Sequence, residues 1–98
     1  MKTVAARLRK WSAAQATLYT IVMMCLQGRN EIIADDCEVH VVVTDDGRCT
    51  VTVSLVMKQE GPLLLLCQQI QKHIAEEIAF MTPFTVNAVH VVVKRLAI

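Results

Sequence analysis

The chain changes the period of its apolar residues three times. Val4, Leu8, Trp11, Leu18, Val22 and Cys25 recur every three or four positions, with Gln15 the one polar break. That spacing predicts a helix over residues 3–27, stopped by Gly28, with Arg29 suited to the negative end of the helix dipole. A linker over 30–37 follows, to which Glu31, Ile32 and Ile33 could add a short extended piece. The period then falls to two. Residues 38–43 and 49–58 are rich in valine and threonine and flank Thr44-Asp45-Asp46-Gly47. An Asp-Gly pair between two such runs predicts a hairpin. In the second strand Cys49, Val51, Val53, Leu55 and Met57 share one face, and Thr50, Thr52, Ser54 and Lys58 the other.

Gly61-Pro62 returns the chain to the helical period, with proline at its favoured first-turn position. Leu63, Leu66, Cys67, Ile70, Ile74, Ile78 and Met81 form the apolar stripe of a helix over 63–81. Gln68, Gln69, Lys72, His73, Glu76 and Glu77 form its polar side. Thr82-Pro83 ends it, because a residue before proline avoids the helical region. A last strand covers 85–94. The order is α-β-β-α-β, an α+β fold in a single domain spanning 1–98. A right-handed β-α-β crossover makes the last strand parallel to the second. The expected sheet order is 2-1-3, with both helices on one face.

Composition adds a reason to look for a partner. Hydrophobic residues make up 54% of 98 residues, above the usual 45–50%, and the mean hydropathy is +0.44. A domain this small cannot hide so much apolar surface within itself, which points to a homo-oligomer. Ten basic and nine acidic residues give a net charge of +1, without the strongly basic balance of a nucleic-acid binder. Lys2, Arg7, Arg9 and Lys10 crowd the N-terminus, and residues 11–28 carry no charge. Ser12, Gln15, Thr17, Thr20 and Gln27 make that stretch too polar for a membrane span, and no small-x-small cleavage site follows it. A buried helix is the expected reading, with no direct membrane span. Cys25, Cys37, Cys49 and Cys67 have neither zinc nor disulfide-scaffold spacing. Reduced thiols in a cytoplasmic protein are expected.

Candidate chemistry is sparse. No nucleophile–base pair, phosphate-binding glycine loop or dinucleotide fingerprint occurs, so neither catalysis nor a cofactor is expected. Glu76 and Glu77 are neighbours on a helix and point about 100° apart, as a solvated face does. His73 lies on the same polar side. Asp35-Asp36 and Asp45-Asp46 suit loops and turns. Gly28-Arg29-Asn30-Glu31 has one glycine of a KH-type loop and lacks the second. His40 and His90 share the outer face of strands expected side by side. Such a pair could bind a metal or sense pH, though two ligands are an incomplete zinc site. Val42, Val56 and Val92 fall on the same face. His40, Val42, Val56, His90 and Val92 therefore form the candidate interaction surface.

The stretch VHVVVTDDGRCTVTVSLVMKQEG (39–61), followed by IAEEIAFMTPFTVNAVHVVV (74–93), resembles the alkaline-shock-protein family. Glu77, Met81, Thr82, Val86, Asn87, Val89, Val91 and Val93 stand where that pattern places them, and Pro83 stands where a glycine is usual. The resemblance implies a non-enzymatic, self-assembling cytoplasmic protein of the bacterial stress response. Such a protein serves cell-envelope homeostasis through protein–protein contacts and can be held at the membrane by a separate anchor protein. Two alternatives share the element order: a KH-like nucleic-acid-binding domain, and a ring-building module of a secretion or sporulation complex.

Overall fold

The computed structural model describes residues 12–58 and 61–97. Its elements are α1 (Ala13–Gln27), β1 (Glu38–Val43), β2 (Arg48–Lys58), α2 (Leu63–Met81) and β3 (Thr85–Ala97), with a 3-10 turn at Ala34–Asp36 before β1. α1 matches the predicted helix over 13–27. Residues 3–11 of that prediction, and the basic cluster with them, lie outside the described residues. A capping box opens α1: the Ser12 hydroxyl accepts from the Gln15 amide at 3.1 Å, and the Gln15 side chain accepts from the Ser12 amide at 3.1 Å. α2 starts after Pro62 and ends at Thr82, whose hydroxyl donates to the Ile78 carbonyl at 2.7 Å.

The hairpin forms at the Asp-Gly. Gly47 takes φ 84°, which a glycine adopts without strain, and its amide donates to the Thr44 carbonyl at 3.1 Å. β1 pairs antiparallel with β2, and β3 pairs with β2 in parallel, as the crossover predicts. The sheet order is β1-β2-β3, not the expected 2-1-3. The correction has a packing reason. β2 carries the most completely apolar alternation, and Cys49, Val51, Val53, Leu55 and Met57 are all at most 1% exposed. A central position covers that strand from both sides, whereas the order 2-1-3 would have left it at an edge.

One cluster joins that inner face to Leu18, Ile21, Val22, Cys25 and Leu26 of α1 and Ile70, Ile74 and Ile78 of α2. Both helices therefore cover the same side. The linker continues the line of β1: the Lys58 amide donates to the Glu31 carbonyl at 2.8 Å and the Ile33 amide to the Val56 carbonyl at 2.9 Å. Each helix also reaches an outer edge of the sheet. The Gln15 side-chain amide donates to the Val41 carbonyl of β1 at 3.1 Å, and that of Gln71 to the Val89 carbonyl of β3 at 2.6 Å. Gln15, a break in the sequence stripe, is thus a backbone ligand.

Candidate interaction face

The face of the sheet turned away from the helices is built in cross-strand rows. Val42, Thr50 and Ala88 form one row; His40, Thr52 and His90 the next; Glu38, Ser54 and Val92 the third. The three central side chains are small, hydroxylated and half-buried. The flanking residues stand higher, and Val42 and Val92 are 59% and 52% exposed. The alternation that sends Val39, Val41 and Val43 inward makes this placement unavoidable.

Two expectations about the face change. His40 and His90 are not neighbours. Thr52 pairs with both, which puts the two histidine backbones two strand spacings apart, about 10 Å. Only a sheet with β3 beside β1 would make them adjacent. Among the described residues no three His, Cys, Asp or Glu side chains form a group that could hold a metal. Val56 does not belong to the exposed face either, for it is fully buried. A register shift between Leu55 and Val56 brings Arg95 opposite Val56. The Arg95 guanidinium reaches across to Asp36 at 3.5 Å, and the Val56 amide donates to the Cys37 sulfur at 3.4 Å. Val56 is closed over from the linker side.

Ion pairs frame the face at both ends: Arg48, on the outer parity of β2, pairs with Asp46 at 3.4 Å beyond the row through Val42, and the others gather at the third row. Lys94 donates to Glu38 at 2.9 Å. This hydrogen bond, reinforced by the charge of Lys94, holds the Glu38 carboxyl below its ordinary range. Lys94–Glu38 and Arg95–Asp36 both span the sheet beside the third row. The rows through Val42 and His40 contain no Asp, Glu, Lys or Arg. The face thus carries two neutral apolar-and-hydroxyl rows, through Val42 and His40, and a third row that is charge-paired.

Between the helices lies a crevice of about 180 Å³ lined by Ile21, Met24, Cys25, His73, Glu77 and Met81. His73 Nε2 stands 3.5 Å from Glu77 Oε1. The Cys25 thiol is pushed up, first by burial and then by the Glu77 charge, so it stays protonated and is a poor nucleophile at neutral pH. Burial raises Cys37, Cys49 and Cys67 as well. Leu64, Leu65 and Phe80 of α2 are exposed large apolar residues. No helix among the described residues is long and apolar enough to cross a membrane. No family model, no curated protein and no solved structure matches the chain.

Proposed function

We infer that this chain is a non-catalytic assembly module that binds a second copy of itself through the outer sheet face. The observation behind this reading is the exposure of Val42 and Val92 on a face whose centre is small and hydroxylated. Stacked sheets meet about 10 Å apart through such side chains. Two copies related by a two-fold axis would place the same rows against one another without juxtaposing unpaired charges. On the partner side, the cations on and beside the face, Arg48, Lys94 and Arg95, are already paired with acids, which favours protein over nucleic acid.

The resemblance of residues 39–93 to the alkaline-shock-protein family supplies the setting. It is a scaffolding role in envelope stress, cytoplasmic and without an active site, with a membrane-anchor protein as the second partner. Light scattering at high micromolar concentration tests the core of the reading. The native chain is expected to run as a dimer or larger species, and Val42→Lys with Val92→Lys as a folded monomer. A native chain that stays monomeric at that concentration would overturn the proposal.

A further inference from the structure

The face is not the only surface shaped for a second copy. β3 is thirteen residues long, and no other described strand pairs with its outer edge. Register shifts against β2 fall at both ends of its central stretch, with Asn87 and Lys94 as the extra residues. Between them Ala88, Val89, His90, Val91, Val92 and Val93 form a regular run without Pro, Gly or a formal charge. A run of this kind on an open edge is the pattern that invites pairing.

The direction of its free backbone groups is fixed by one observed bond. The Val89 carbonyl accepts from Gln71, on the side away from β2. Backbone groups alternate sides along a strand. Val91 and Val93 therefore also present their N–H and C=O outward, while Ala88, His90 and Val92 face β2. These outward residues are spaced symmetrically about Val91. An antiparallel two-fold partner then sets Val91 against Val91, and Val89 against Val93, each as a pair exchanging two hydrogen bonds. His90 falls opposite Val92, as a non-bonded pair. Lys94 meets Ala88 and Arg95 meets Asn87, so no like charges oppose each other. Both cations are in any case drawn across the sheet by Glu38 and Asp36.

We propose that the outer edge of β3 is a second self-association surface, pairing antiparallel with β3 of another copy about Val91, and that Gln71 is its latch. In the lone chain the Gln71 amide occupies the Val89 carbonyl, which pairing requires for the partner's Val93 N–H. The latch must therefore swing away in both copies before the ladder closes. Gln15 stands on the Val41 carbonyl in the same manner at the opposite edge. A strand-edge contact buries little area, so the association is weak and concentration-dependent. Where a face contact and an edge contact both operate, two different two-fold interfaces propagate an open chain of copies rather than a closed dimer.

The edge does not depend on the face, and the experiment keeps them apart. Gln71→Ala should tighten association roughly tenfold by sedimentation equilibrium, because neither copy then gives up a hydrogen bond before pairing. Val42→Lys, two strands away, should remove face association while leaving this gain intact in the Val42→Lys/Gln71→Ala double variant. The register is read by His90→Cys with Val92→Cys. Non-bonded antiparallel pairs hold their Cα atoms about 4.5 Å apart, within disulfide reach, so oxidation should yield a covalent dimer, and more of it with Gln71→Ala. His90→Cys alone is the control for the four native thiols. A dimer yield no higher than that control, or a folded Gln71→Ala chain that associates no more tightly than the native one, refutes the edge. Loss of association in Val42→Lys without any gain from Gln71→Ala leaves the face standing alone.

Discussion

The two faces of β2 are made from alternate residues of one strand, and they have opposite fates. Cys49, Val51, Val53, Leu55 and Met57 are sealed beneath two helices, while Thr50, Thr52 and Ser54 are half-open. Threonine and valine have almost the same shape and both suit a strand. The difference lies in what covers them. The inner face belongs to one continuous cluster with α1 and α2, whereas the outer face has only its own edge-strand side chains as shelter among the described residues. The inner face therefore supplies the folding energy, and the outer face is free to be used for something else.

Truncation measures this contrast directly. Leu55→Ala should cost about 2–5 kcal/mol of unfolding free energy, from lost burial and the cavity left behind. Thr52→Ala, one row away on the other face, should stay within about 0.5 kcal/mol. Urea denaturation of both variants checks the pair. Equal costs would mean that the outer face is as deeply covered as the inner one in solution, and that it is already an interface.

Val56 breaks the comparison and so sharpens it. By parity it belongs outside, yet it is as buried as Leu55. Val56→Ala should therefore behave as a core truncation and cost about 1–3 kcal/mol, well above Thr52→Ala. A change as small as that of Thr52→Ala would show that the cover from Cys37, Asp36 and Arg95 opens freely.

Parity was legible in the sequence because it is local: Cys49 to Met57 reads as one buried face from spacing alone, and Asp46-Gly47 announces its own turn. The fate of Val56 was not, because it depends on Arg95 meeting Asp36 across 59 positions of chain. Sheet order is non-local in the same way. The crossover gives β3 a direction relative to β2, but which edge it joins is decided by which strand most needs covering. The site depends on the same choice, since only β3 beside β1 would make neighbours of His40 and His90. The glutamines at 15 and 71 left no signal either, for a polar residue near an apolar stripe says nothing about the strand edge it will reach.

The smallest expected effect concerns the charge-paired row of the face. The Glu38 carboxyl lies below its ordinary value of 4.5, chiefly through the hydrogen bond from Lys94. A carboxylate lowered on folding stabilises the fold above its ordinary range, and that contribution is lost as pH falls through the lowered value. Because the pair is exposed, its contribution is small and weakened by salt. Unfolding by urea between pH 7 and pH 3, native chain against Glu38→Gln, isolates it, since the other carboxylates titrate in both. The native advantage should be steady from pH 7 down to about 4.5, shrink below that, and shrink at any pH in high salt. An advantage that persists unchanged at pH 3 would mean that Glu38 acts through packing rather than charge. The division of the outer face into two neutral rows and a charge-paired one would then lose its electrostatic basis.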